Sequence, residues 1–197
     1  MKKCKECGEE FFQYKTTQKF CIECAIKIGR EKLDSDGWKK RKKVLEEKTE
    51  TVKDCMIKLQ KTINHIARLI DREKSCISCA GKVEQGGHYY PSGNNKNITF
   101  NLHNIHGQCV HCNMHLSGNL IEYRLGLTSQ YGAEYTEYIE SLRQVYKELK
   151  HDKEELKIAH TKAYKILKEL QKQGSMYTKR EQQELREQYN KEIGIYK

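Results

Sequence analysis

Residues 76–115 read CISCAGKVEQGGHYYPSGNNKNITFNLHNIHGQCVHCNMH, and the architecture of the chain follows from them. Two Cys-x-x-Cys pairs, Cys76/Cys79 and Cys109/Cys112, enclose the 29 residues 80–108. Each pair presents two thiolates to one tetrahedral ion, so the four cysteines make a complete shell for Zn²⁺. A closed shell has no open position for chemistry, which marks the ion as structural and turns attention to what it holds. Five of the eight histidines (88, 103, 106, 111 and 115) lie in this stretch. Between the knuckles, Gly86-Gly87 leads into a strand at His88-Tyr89-Tyr90, and the segment from Pro91 to Asn95 makes a turn. A second strand is expected over 98–102 and a helix from near Asn113.

The same device stands at the N-terminus. Residues 4–28, CKECGEEFFQYKTTQKFCIECAIKI, separate Cys4/Cys7 from Cys21/Cys24 by the 13 residues 8–20. Gly8 follows the first knuckle, where a left-handed turn is needed. Phe11, Phe12, Tyr14 and Phe20 offer a small core or an aromatic face. Eight of nine cysteines thus fall in four pairs, which in a reducing cytosol reads as two structural zinc ions rather than disulfides. Cys55 is left over, within a helical pattern, as inert packing.

Between the two modules, residues 31–74 lack proline and have a single glycine, Gly37. Trp38, Leu45, Val52, Leu59 and Ile66 recur every seventh position, with Met56, Ile63 and Ile70 interleaved, an a/d seam of the coiled-coil kind. The helix begins with Lys39-Lys40-Arg41-Lys42-Lys43, a basic cluster suited to phosphates. After Asn119 the pattern is helical. Leu120–Leu127 is short, and Leu142, Tyr146, Leu149, Leu156, Ala163, Leu167 and Leu170 trace a second seam ended by Gly174-Ser175. Thr178-Lys-Arg-Glu181 is a capping box for a last helix with Leu185, Tyr189 and Ile193. Two seams of similar length suggest antiparallel pairing within the chain, or a homodimer through one of them.

The fold class expected is α+β, mostly α. It comprises an N-terminal Cys4 module (1–29), a long basic amphipathic helix (30–74), a zinc-clamped module (75–132) and a helical C-terminal region (133–197). The 197 residues are 37% hydrophobic with a mean hydropathy of −0.90, too polar for one large core. No apolar run approaches the ~18 residues of a membrane span and no secretory leader is apparent, which favours a cytoplasmic protein. The net charge of +10 is concentrated in residues 1–75, with 20 Lys/Arg against 13 Asp/Glu. Residues 76–127 carry three against two. A basic arm beside a weakly charged, histidine-rich module is an electrostatic footprint for nucleic acid.

A strand-borne His, a middle Asn and a residue just after the second knuckle suit metal-dependent phosphodiester hydrolysis. That reaction needs a base for water and a divalent ion at the leaving oxygen. On Cys76-x-x-Cys79, Gly87-His88, Asn104 and Cys109-x-x-Cys112-Asn113, the sequence resembles a zinc-clamped HNH (ββα-metal) endonuclease. With CKECGEEF, QKFCIECAI, the Gly-His-Tyr step and QCVHCNMHLSGNLIEYRLGL, it further resembles the phage NinG family, known as Rap recombination endonucleases, over residues 1–29 and about 71–132. The knuckle with Asn113 also resembles part of the phage junction resolvase endonuclease VII, in which the Asn after the knuckle is a metal ligand.

The resemblance implies a cytoplasmic nuclease acting on branched DNA, Holliday junctions and D-loops, with Mg²⁺ or Mn²⁺. It implies that His88 is the general base, Asn113 a divalent-metal ligand and Asn104 the residue orienting the His-bearing loop. Many HNH sites carry Asp or His before the base, where this chain has Gly87. Either His88 itself binds metal, or another group completes the shell, with His115 and His103 the nearest candidates. His103 and His106 are alternative zinc ligands, and Asn104 an alternative turn residue. The competing function is a non-catalytic zinc-dependent accessory protein of recombination that binds DNA or a protein.

Overall fold

A computed structural model describes residues 1–145, 150–174 and 176–196, with residues 47 and 48 described by their backbone alone. Its chain divides into two compact units, Met1–Glu50 and Thr51–Lys197.

The first unit opens with strands β1 (Lys2–Lys3) and β2 (Glu10–Phe11), paired antiparallel. Gly8 makes the turn between them at φ +76°, the left-handed conformation expected after the knuckle. Cys4, Cys7, Cys21 and Cys24 bring their sulfurs within 4.8 Å of one another. Cys21 also starts helix α1 (Ile22–Thr49), its Sγ accepting from Cys24 N at 3.5 Å. Phe12 and Tyr14 meet edge-on at 6.1 Å and stay exposed, an aromatic face rather than a core. Along α1 the residues of the expected seam, Trp38 and Leu45, are also exposed.

The second unit starts with a new helix. α2 (Val52–Ile70) is set off from α1 by a reciprocal cap: Asp54 N donates to Thr51 Oγ1 and Thr51 N to Asp54 Oδ2. The continuous coiled-coil helix expected across 31–74 is therefore two helices, because Thr51-x-x-Asp54 satisfies a helix start that the heptad count passes over. Strands β3 (Gln85–His88) and β4 (Ile105–Gln108) pair antiparallel, with Gly87 opposite His106 and His88 opposite Ile105. The second strand expected at 98–102 lies instead at 105–108. Residues 96–98 and 102–104 form 3-10 turns, with Asn101 Oδ1 accepting from His103 N. A single π-type turn, His111–His115, follows the second knuckle. Helices α3 (Leu120–Tyr131), α4 (Ala133–Val145), α5 (Lys153–Gln173) and α6 (Lys179–Ile193) complete the unit.

The second seam is divided too. Asp152 caps α5, and Tyr146, Leu149 and Ser175 lie outside the described residues. The apolar faces of α2 and α5 form the main core: Leu59, Ile63 and Ile66 meet Leu156, Ala163 and Ile166, each with no exposed surface. Burial of each large aliphatic is worth about 1.5–3 kcal/mol. Cys55 packs in this core, as expected of an inert cysteine. The pairing is intramolecular and parallel, not antiparallel. Arg72, just past α2, donates to Leu170 O near the end of α5. Phe100 meets His151 edge-on just before α5 and lines a pocket with Met56 early in α2. A second core of Ile77, Tyr89, Tyr123, Leu127, Tyr135 and Ile139 joins the knuckle segment to α3 and α4.

One buried ion pair joins these parts. Arg186 of α6 places Nη2 2.8 and 2.7 Å from the two oxygens of Asp71, with the side chains 0% and 4% exposed. Asp71 Oδ2 also accepts from Gly107 N of β4 at 2.8 Å, and Arg186 Nε donates to Leu102 O.

Cys76, Cys79, Cys109 and Cys112 form the second sulfur cluster, again within 4.8 Å. Both clusters could hold zinc, and their donor chemistry fits it. The backbone amide of Cys7 holds Cys4 down to about 6, and that of Gly81 lowers Cys79. Burial pushes Cys112 up to about 12, a cost that a bound cation removes.

Elemental analysis of purified protein should give about two zinc ions per chain, one for each set of four thiolates. Changing Cys109 and Cys112 to Ser should remove one of them; retention of both would refute the central zinc site. Asp71→Ala should destabilise the second unit by about 3–5 kcal/mol, since it strands a buried guanidinium. Urea denaturation measures it, and a loss under about 1 kcal/mol, the scale of an exposed pair, would contradict the buried linkage.

Candidate functional site

His88 ends β3, where the sheet meets the loop to β4. Its Nε2 lies 3.0 Å from Thr99 O. A carbonyl only accepts, so Nε2 carries the proton and Nδ1 keeps its lone pair. Burial lowers the pKa of His88, against a smaller upward pull from the Thr99 carbonyl. A neutral imidazole with one free nitrogen is the form that can take a proton from water.

The backbone on either side of His88 is fastened. Tyr123 O–H donates to Gly87 O at 3.0 Å and accepts from His106 Nδ1 at 3.2 Å. On the other side, Asn104 has no exposed surface and clamps Tyr90: its Oδ1 accepts from Tyr90 N at 2.8 Å and its Nδ2 donates to Tyr90 O at 3.1 Å. Its own carbonyl accepts from Tyr89 N at 2.8 Å. Asn104 therefore fixes the backbone of the loop just after His88.

Asn113 follows zinc-ligand candidate Cys112 within the π-type turn. Its Nδ2 donates to Gln85 Oε1 at 2.6 Å. That bond turns Oδ1 toward Gly87, 3.0 Å from where a Cβ on Gly87 would stand. The same point is occupied by the side-chain oxygen of Gln108. Gln108 has no exposed surface, and its Nε2 donates to Ser78 Oγ at 2.8 Å and Gly118 O at 2.9 Å. Its Oε1 has no hydrogen-bond partner among the described residues. Two amide oxygens, one of them buried and unsatisfied, thus converge beside Gly87. Hard oxygens are the donors that Mg²⁺ and Mn²⁺ take, so the residues present fit such an ion.

The other candidates go elsewhere. His103 donates Nε2–H to Glu187 Oε2 at 3.2 Å and accepts at Nδ1 from Tyr135 O–H at 2.8 Å. Burial holds it down to about 4 as a neutral ring. With both nitrogens engaged it has no lone pair to offer and is withdrawn as a ligand to either kind of ion. His106 meets Tyr123 through Nδ1, its Nε2 has no hydrogen-bond partner among the described residues, and it lies outside both sulfur clusters. His115 is exposed beside His111, ring centroids 5.9 Å apart, and takes no part in the contacts at Gly87. Among the described residues, the two Cys4 clusters are the groups of three or more Cys, His, Asp or Glu ligands gathered tightly enough for an ion.

Beside the site, Lys61, Asn64, His65 and Arg68 of α2 face Gln85, Gly86 and Asn113 across a groove of about 310 Å³. Gly86 lets the strand reach α2, since a Cβ there would lie 3.0 Å from Asn64 Cα. Lys61 and Arg68 lie off the apolar seam of α2 and so do not stand out in the sequence. The polar spacing 61, 64, 65, 68 on the opposite face was the available signal. Gln85 and Gln108 carried no signal at all. Lys39 to Lys43 are exposed on α1 in the other unit, Lys39 beside Asp36 and Lys42 beside Glu46.

Among the described residues, no helix is long and apolar enough to cross a membrane. No solved structure matches the chain. The sequence profile described as bacteriophage lambda NinG protein matches residues 1–173. Protein ninG of Escherichia phage lambda is 34% identical over 167 residues, covering 71% of this chain and 80% of that protein. Protein ninG of Salmonella phage P22 is 32% identical over the same shares. Protein ninG of Escherichia phage 933W is 37% identical over 109 residues, 54% of this chain and 52% of the relative. The knuckles, the Gly-His step and the helices after them thus sit in a protein that belongs to the NinG family.

Proposed function

We propose that the chain is a divalent-metal-dependent endonuclease of the HNH (ββα-metal) kind, cutting branched recombination intermediates such as Holliday junctions and D-loops in the host cytoplasm. The observation that carries this reading is His88, its Nε2 capped by Thr99 O and its Nδ1 free, with the oxygens of Asn113 and Gln108 beside the neighbouring Gly87. The antiparallel pair β3–β4 and the knuckle after it support it, because such a site is built on two strands and the segment that follows. In the reaction, Nδ1 of His88 takes the proton of a water that attacks phosphorus. Asn104 keeps the loop, and so the imidazole, in place. Asn113 would hold the divalent ion through Oδ1, its amide fixed by Gln85. When bound, that ion stabilises the negative charge developing on the leaving oxygen. Lys61 and Arg68 bring cations to the phosphates flanking the cut.

Resolution of a four-way junction needs two symmetric incisions, which favours a homodimer on DNA. The exposed Lys39 to Lys43 favour a second reading, in which the chain binds recombination DNA without cutting it. Cleavage separates the two.

Given a synthetic Holliday junction and Mg²⁺ or Mn²⁺, the parent should cut. His88→Ala and Asn113→Ala should lose about 10²–10⁴-fold while keeping both zincs and junction binding. A His88 variant as fast as the parent sinks the nuclease reading. Because burial lowers His88 from its ordinary 6.5, it stays unprotonated to more acidic pH. The acid limb of the cleavage rate should therefore lie below pH 6.5; a limb above that value excludes His88 as the base. Neutralising three of Lys39 to Lys43 should lower the salt slope of duplex binding by about 0.9 per lost contact. An unchanged slope means that this cluster makes no phosphate contact.

A further inference from the structure

Gly87 sets the question, because a neighbouring residue fills the space its side chain would use. A Cβ there would overlap Gln108 Oε1 and stand 3.0 Å from Asn113 Oδ1. Gln108 reaches this point from β4, as Gln85 pairs with it across the sheet. Its orientation is fixed from behind: both Nε2 protons are used, on Ser78 Oγ and Gly118 O. Turning the amide over would set two oxygens against each other at Gly118. Oε1 is therefore held beside Gly87 on the Asn113 side, buried and without partner among the described residues. An unsatisfied buried oxygen of this kind is destabilising, and a side chain held that way is explained by what it meets in the working state.

We propose that Gln108 Oε1 is a ligand of the catalytic divalent cation, supplied from β4 in place of the acidic or imidazole group that β3 lacks at Gly87. The inference rests on the endonuclease reading and adds a residue to it. Gly87 and Gln108 then form one device: the glycine is bare so that the glutamine oxygen can stand beside Asn113 Oδ1. The two oxygens accept a hard cation side by side, while His88 Nδ1 stays free for water.

The test uses full-length, zinc-loaded protein and Tb³⁺, a hard oxygen-seeking probe excited through nearby tyrosines, displaced by Mn²⁺. The parent should bind one displaceable Tb³⁺ per chain, and Asn113→Ala should weaken it. Gln108→Met should weaken it by about 10–100-fold, the scale of losing a fixed metal contact, with zinc content unchanged. The decisive comparison is Gln108→Ala against Gly87→Asp with Gln108→Ala. Both lose the bonds to Ser78 and Gly118, so they differ only at position 87, a carboxylate against no side chain. The pair should bind Tb³⁺ at least as tightly as the parent, and Gln108→Ala should not. Should Gln108→Met lose zinc, this comparison still decides. Equal binding by parent and Gln108→Met, or no gain in the pair, overturns the ligand role. If the parent nevertheless cuts and His88→Ala does not, the nuclease reading stands without it. A parent that neither binds Tb³⁺ nor cuts overturns both.

Discussion

The buried pair between Asp71 and Arg186 is the constraint on which the second unit depends. It joins residues 115 apart in sequence at 2.7 Å, with both side chains out of solvent. Alone such a pair returns little against its desolvation. Its effect here is to fix geometry, since Asp71 also takes the Gly107 amide and Arg186 the Leu102 carbonyl. The end of α2, the strand β4 and the helix α6 are thereby set against one another. A shift of β4 by one residue would break the Gly107 bond, take Gln108 from Gly87 and move Asn104 off Tyr90.

The sulfur clusters do a different job. Cys76 and Cys79 precede β3, Cys109 and Cys112 follow β4, and one ion on all four would clamp both ends of a two-stranded sheet. A hairpin of four residues a side is marginal by itself. The clamp also places Asn113, whose amide nitrogen donates to Cys109 O at 3.1 Å. Position within the candidate site would thus derive from thiolate ligation and the buried pair together, while Asn113 and Gln108 are neutral.

The parts legible in the sequence are those coded locally. Four Cys-x-x-Cys pairs, the turn at Gly8, the caps at Thr178 and Gly174 and the place of His88 beside the glycines are each written in a few adjacent residues. Longer-range facts were not. Ile98, Phe100 and Leu102 alternate at 98–102 as a strand would, yet Ile98 and Leu102 lie in 3-10 turns, and Phe100 and Leu102 fill the core against α2 and α6. The strand itself, Ile-His-Gly-Gln, has little intrinsic preference for extension and pairs because Asp71 and the knuckles hold it. The break at Glu50 was hidden by a heptad that continues in register across it. Gln108 was unreadable because its role comes from a neighbour that has no side chain.

The choice of amides over carboxylates bears on how such a site would work. Asn113 and Gln108 bring dipoles without charge, whereas Asp and Glu would bring a full negative charge to the same ion. A divalent cation held by neutral oxygens keeps most of its charge unbalanced, and a phosphate of the substrate can balance it. Mg²⁺ already prefers to share its shell between protein and substrate phosphates. Under the endonuclease reading, the complete shell forms when DNA enters, with Lys61 and Arg68 beside the groove drawing the backbone in. Such a site couples metal occupancy to substrate. The neutral His88 fits the same logic, since an imidazolium beside the cation would oppose its binding.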